Sequence, residues 1–201
     1  MNKETYIKNP TKASSLSYFK TVLYENTPGL NISIVDETND ATLNKYFFKL
    51  VHFLKDISKP ILPDGFSLTD ISVEEYIKHI NTCYDRISIA EDYFKEYDKY
   101  KVFDKDLCIA LKDNITNEIV ATCIALLDKN INEGIIDWIQ VSKEYRGKGL
   151  GEYLVKEALY RLKDKASFVT VSGDMNNPCN PLGLYLKCGF TDKTIWLIEH
   201  I

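Results

Sequence analysis

Six consecutive residues, Arg146-Gly147-Lys148-Gly149-Leu150-Gly151, carry the clearest chemical signal in the chain. Three of the nine glycines fall within five positions there. An apolar run, Ile135-Ile136-Asp137-Trp138-Ile139-Gln140-Val141, precedes them, and a helix-like stretch over 150–164 follows. A glycine-rich turn between strand and helix leaves backbone N–H groups uncovered at a helix N-terminus. The partial positive charge there suits a phosphate. The loop therefore predicts a phosphorylated cofactor. A plain strand-to-helix turn would need one glycine, not three.

Two familiar phosphate templates fail. A P-loop requires Lys followed by Ser or Thr, and Lys148 is followed by Gly149. A dinucleotide fingerprint requires a third glycine where this chain has Leu154. The pattern Arg/Gln-x-x-Gly-x-Gly/Ala is met by Arg146, Gly149 and Gly151. Together with Trp138-Ile-Gln-Val141, Glu144-Tyr-Arg-Gly-Lys-Gly-Leu-Gly151 and Leu184-Tyr-Leu-Lys-Cys-Gly-Phe190, it resembles the GNAT superfamily of acetyl-CoA-dependent N-acetyltransferases. The motifs span about 134–190, and the fold resemblance reaches back to about residue 66.

The resemblance implies acetyl-CoA as co-substrate, a primary amine as acceptor, and direct attack of that amine on the thioester. It implies a splay between strands 134–142 and 168–172 that admits the pantetheine arm, with backbone groups of Ile139 and Val141 bonding to the arm. A strand N–H there would serve the developing oxyanion. The pyrophosphate would lie on the N–H groups of Gly147, Lys148, Gly149, Leu150, Gly151 and Glu152, with Arg146 beside it. Tyr185, four residues before Gly189, looks like the acid that protonates the departing sulfur.

Asp137 is the candidate base. By alternation it shares a strand face with Ile139 and Val141. A carboxylate, with a pKa of about 3.9, is a far weaker base than an alkylamine at about 10. Asp137 would relay protons through water, hold the ammonium before it deprotonates, or serve the structure. Asn180 followed by Pro181 reads as a helix cap, which alone explains Asn180. The family also places an asparagine before this helix to bond the cofactor arm, and both Asn177 and Asn180 meet that description. Cys179 is near the site, but the motif shows no partnered base for a covalent route.

These groups need a scaffold. Residues 31–35 alternate as a strand, 41–55 carry a helical apolar stripe, and 66–71 read as a strand. Segments 73–84 and 88–97 read as helices with a break at Asp85. Strands over 106–112, 118–127 and 134–142 are linked by polar turns, so antiparallel hairpins are expected. A helix over 150–164 has Leu150, Leu154, Val155, Ala158, Leu159 and Leu162 on one side, with Glu152–Lys156 and Glu157–Arg161 as i,i+4 pairs. A strand (168–172), a short helix (181–188) and a final strand (194–198) follow. The fold class is α/β of the α+β kind: a mixed, mostly antiparallel GNAT-like sheet flanked by helices. One domain over 1–201 is expected, with a core over 66–200. Residues 1–60 form an N-terminal extension packed on that core, in which 1–28 wrap the domain and strand 31–35 extends the sheet at an edge.

Composition narrows the function. The chain has 201 residues, 45% hydrophobic and 27% charged, with a net charge of −4. That balance gives no footprint for nucleic acid or an anionic membrane. No run approaches about 18 apolar residues, and the first residues lack a signal-peptide core. Five cysteines without a C-x-x-C pair point to free thiols in a reducing cytoplasm. Three dispersed histidines give no metal site. Oligomeric state is open, a homodimer included. Thirteen tyrosines and the acidic balance favour a cationic acceptor. Two other readings remain: an N-acyltransferase using another acyl-CoA, and a non-catalytic acyl-CoA sensor of the same fold.

Overall fold

A computed structural model describes residues 1–24, 30–36, 46–84, 88–90 and 92–200. Eight strands form one sheet: β1 (Leu30–Val35), β2 (Tyr46–His52), β3 (Phe66–Thr69), β4 (Phe103–Asp113), β5 (Ile119–Asp128), β6 (Glu133–Val141), β7 (Phe168–Asp174) and β8 (Thr191–His200). Their order is β1-β8-β2-β7-β6-β5-β4-β3. Every neighbouring pair is antiparallel except β6–β7. The mixed α+β sheet expected from the sequence is present.

Helices cover both faces. On one side α6 (Leu150–Leu162) lays Leu150, Leu154, Val155, Ala158, Leu159 and Leu162 into a core with Leu107, Ile109, Leu111, Ile136, Val169 and Val171. Short α7 (Pro181–Lys187) adds Tyr185 to that core. Across the sheet, α4 (Val73–Cys83) and the segment around α5 (Lys95–Lys99) cover Cys108, Ala110, Ile124 and Ile135. Ser72 and Glu75 close a reciprocal capping box at the start of α4, a purely local device. Both ion pairs expected on α6 form. Glu157 is buried, however, and Arg161 also bonds the carbonyls of Asp106 and Cys108.

The N-terminal residues form three short helices, α1 (Lys3–Lys8), α2 (Pro10–Ala13) and α3 (Tyr18–Tyr24). Tyr6 is fully buried, and its hydroxyl donates to Glu133 at 2.7 Å. Lys49, also fully buried, donates to Tyr6 at 2.7 Å. Thr170 and the backbone N–H of Tyr18 complete the shell around Glu133, at 2.6 and 2.9 Å. Trp196 on β8 donates to the carbonyl of Thr11.

Three sequence expectations need correction. Residues 46–52 are not helical; they form β2, between β7 and β8. Phe48 and Leu50 enter the α6 core, while Val51 meets Tyr6 and Phe168 on the other face. A strand buried on both faces loses the two-residue alternation, so its apolar spacing also satisfies a helical stripe. Of the rest of that stripe, 53–55 are irregular backbone and 41–45 lie outside the described residues. Among the described residues of 88–97, only Lys95 onward is helical. Asn81 bonds both the N–H and the carbonyl of Ile89, holding that backbone away from a helical ladder. The break at Asp85 lies outside the described residues. The third correction concerns Asp137 and is given below. Strand β1 does sit at the sheet edge, paired with β8. No helix of the described residues is long and apolar enough to cross a membrane.

Candidate active site

The site begins where β6 and β7 part. Their parallel pairing runs from Glu133–Phe168 to Ile136–Val171 and then ends. Beyond it β6 stays with β5, and β7 stays with β2. Ser142 donates to the carbonyl of Val120, which fixes the alternation along β6. Residues 138, 140 and 142 address β5, so Ile139 and Val141 turn their N–H groups to the opened edge. Their carbonyls have side-chain donors: the Tyr84 hydroxyl reaches Ile139 at 3.2 Å, and Arg146 Nε reaches Val141 at 3.2 Å. Both side chains, Ile139 and Val141, pack on the α6 core.

A single 3₁₀ turn (Lys143–Tyr145) leads from β6 into the glycine loop. Gly147 and Gly149 both have φ of +80°, a conformation that favours glycine. Gly151 lies under no such constraint: a Cβ there would make ordinary contacts, 3.4 Å from Leu184 and 3.8 Å from Val141. Gly149 is the N-cap of α6 and brings no side-chain bond to it, so the first-turn N–H groups of Leu150, Gly151 and Glu152 point outward without a cap. Lys148 lies over the Tyr145 ring, 4.6 Å from its centroid. Glu152 pairs with Lys156 and Lys187, each at 2.6 Å, so its charge beside the helix terminus is neutralised. A cleft of about 720 Å³ adjoins this turn, with Lys55, Lys59, Lys156 and Lys187 on its walls.

Tyr185 is 3% exposed and stacks edge-on against Phe190. Its hydroxyl has no hydrogen-bond partner among the described residues. Burial holds its pKa well above the ordinary value, with smaller contributions from Cys123, Tyr84, Cys188 and Asp137. The group is therefore protonated at neutral pH.

Asp137 departs from the expected alternation. Ile124 faces Trp138 while Ala125 faces Ile136, so Asp137 is the extra residue of a β-bulge. The bulge resets the two-residue period. Asp137 consequently does not share the face of Ile139 and Val141. It meets Lys20 of α3 at 2.5 Å, and its other oxygen accepts from the Tyr97 hydroxyl. Tyr97 belongs to the cluster on the opposite side, with Phe19 and Trp138.

Asn180 caps α7 through Gly183 at 3.2 Å, as its sequence predicts. Asn177 accepts from the N–H of Cys179 at 2.9 Å. Each amide thus spends its oxygen locally, and neither amide nitrogen has a partner among the described residues. Cys179 is exposed, and all five cysteines are free. No group of three or more His, Cys, Asp or Glu side chains gathers to hold a metal among the described residues.

Sequence reasoning missed a polar cluster under α4. His79 Nδ1 lies 2.9 Å from Thr122, and Nε2 lies 3.0 Å from Ser142 and 3.6 Å from Cys83. Burial lowers the His79 pKa to about 4. The spacing of His79 and Cys83, one helical turn apart, was the available signal. Tyr84, Tyr97 and Lys20 gave none, since each reaches the site from a distant segment.

Residues 104–192 match the acetyltransferase (GNAT) domain family. No curated protein matches the chain. Among solved structures, a GCN5-related N-acetyltransferase from Sphaerobacter thermophilus is similar at a TM-score of 0.65 and 16% identity, covering 78% of this chain and 51% of that one. A tandem GNAT protein from the clavulanic acid biosynthesis pathway gives 0.55 and 14%, covering 84% and 55%. A GCN5-related N-acetyltransferase from Kribbella flavida gives 0.51 and 16%, covering 90% and 62%. The chain thus spans little more than half the length of these structures.

Proposed function

The chain carries a GNAT acetyltransferase domain over residues 104–192, and from that premise we propose that it transfers an acetyl group from acetyl-CoA to a primary amine by direct attack. The observation that carries the proposal is the end of β6–β7 pairing at Ile136–Val171, beside the glycine turn of α6. Residues fit the co-substrate on both counts. Two glycines in the left-handed region and an uncapped helix N-terminus suit a pyrophosphate. Outward N–H groups at Ile139 and Val141 suit an extended amide chain, which they would bind as a neighbouring strand does.

In this reading acetyl-CoA supplies an activated acyl carbon and a thiolate leaving group. The N–H groups of residues 147–152 hold its pyrophosphate, and the lysines of the adjoining cleft hold its remaining phosphate. An N–H of β6 steadies charge on the acyl oxygen. Tyr185, kept protonated by burial, gives its proton to sulfur. Asp137 holds the acceptor's ammonium and passes its proton to water. The amide nitrogen of Asn177 or of Asn180, whose oxygens are engaged locally, donates to the cofactor arm. One chain over 1–201 acts as a single catalytic unit, and five free thiols suit the cytoplasm.

The test is acetyl-CoA turnover, followed by thiol release, across a panel of primary amines. Release that depends on an added amine supports the reading. Tight acetyl-CoA binding with no release over the panel overturns it in favour of a sensor.

A further inference from the structure

We propose that Lys20 is a self-acetylation site: the chain delivers its own primary amine to the place where β6 and β7 separate. The inference rests on the acetyl-transfer reading above.

Four observations place Lys20 there. Its ammonium lies 2.5 Å from Asp137 Oδ1, with the two side chains 19% and 10% exposed. Tyr97 and Phe19 offer ring faces to the same nitrogen, at 5.5 and 5.8 Å from their centroids. A small cavity of about 60 Å³ opens beside it, walled by Ile136, Asp137, Val171 and Ser172. Ile136 and Val171 are the last paired residues before the splay. The surrounding backbone is held at several points: Tyr18 N–H to Glu133 at 2.9 Å, Ser15 carbonyl to Ser172 at 2.8 Å, and Leu16 carbonyl to Lys49. These bonds fix α3 on the sheet, so Lys20 approaches on a short tether.

An ion pair alone would be content on the protein surface. This one sits at the bulge of β6, on the residue proposed to receive an acceptor's ammonium. Its cation is chemically the acceptor class itself, a primary alkylammonium. Fixing such an amine beside a bound thioester replaces a bimolecular encounter by an intramolecular one. The step balances. The Lys20 ammonium releases one proton to water by way of Asp137. The Nζ lone pair then forms the N–C bond as the C–S bond breaks. A second Nζ proton is lost, and the departing sulfur gains one from Tyr185, which recovers it. Products are Nζ-acetyl-Lys20, free CoA thiol and one proton.

The experiment uses the full chain with acetyl-CoA and no added amine, followed by intact mass and peptide mapping. The expected result is one acetyl group per chain, on Lys20. It should form on the order of 10²-fold faster than at exposed Lys129, in the turn between β5 and β6, as a positioned amine should. Its first-order rate should not change on dilution of the protein. Lys20→Arg should remove the modification, and acid-denatured protein should lose the preference for Lys20. An unmodified Lys20 in a preparation that acetylates added amines overturns the inference and leaves the proposed function standing. A Lys20 rate equal to that of Lys129 also overturns it. Absence of acetyl-CoA binding by calorimetry overturns the proposed function, and the self-acetylation with it.

Discussion

Ile136 on β6 faces Val171 on β7, and theirs is the last rung of the one parallel ladder among the described strands. Neither residue is polar, and both are buried in the α6 core. The rung thus acts as an apolar hinge point from which two strands, each bound to its other neighbour, diverge. The chemistry argued above depends on that divergence more than on any single side chain.

The glycine turn should be intolerant of charge. Gly149→Asp places a like charge at the phosphate position and a side chain at φ +80°. CoA affinity by calorimetry should fall at least about tenfold, or ~1.4 kcal/mol. Gly151→Asp should do the same through its charge, since a Cβ there meets Leu184 only at ordinary contact distance.

Tyr185→Phe should lower kcat by about 10²-fold while the acetyl-CoA dissociation constant stays within a factor of about two, since the hydroxyl acts only as sulfur departs. The ring keeps its contacts with Phe48 and Phe190, so the melting temperature should hardly move. The measurement is steady-state kinetics beside calorimetric titration.

His79 should make stability fall in mild acid. Its folded-state pKa is depressed to about 4 by burial, against 6.5 unfolded. Above pH 6.5 both states are neutral and the His79 contribution is complete. Between pH 6.5 and about 4 the unfolded chain takes up a proton that the folded chain refuses, and roughly 3 kcal/mol is lost. Urea titrations across that window should show a steeper decline for wild type than for His79→Gln, which starts lower at pH 7 for want of one of its hydrogen bonds.

The buried trio Lys49–Tyr6–Glu133 should behave as a unit. Burial drives the Lys49 pKa down to about 7 and that of Glu133 up, while their mutual attraction opposes both. Three donors converge on Glu133, which favours its carboxylate form. Lys49→Met strands that charge and should cost about 3–5 kcal/mol. Adding Glu133→Gln should restore much of the loss, giving a large coupling energy in a double-mutant cycle measured by denaturant unfolding.

What the sequence showed and what it hid divide along one physical line. Features written in neighbouring residues were legible: the glycine turn, the stripe of α6, the Asn180 cap and the hairpins β4–β5–β6. Features that exist only once distant segments meet were not. Strand β2 looked helical because Phe48 and Val51 are buried on opposite faces, and nothing local says so. Asp137 appeared on the wrong face because a bulge is visible only against its partner strand. Its pairing with Lys20 joins residues 117 apart in sequence.

The place of β2 has one more consequence, in the time course of synthesis. Residues 46–52 leave the ribosome more than 100 residues before their two sheet neighbours, β7 and β8. β1 must likewise wait for β8. Until then, the apolar side chains of Phe48, Leu50 and Val51 have no partners in their final plane. The hairpins β4–β5–β6 can form from local contacts while the N-terminal strands stand by. Closure of the sheet, and with it the second wall of the splay, therefore awaits the synthesis of β7 and β8. Pairings of such long sequence separation fold slowly. Truncation within β8 would leave β1 without its partner and expose one edge of β2, a ready template for association.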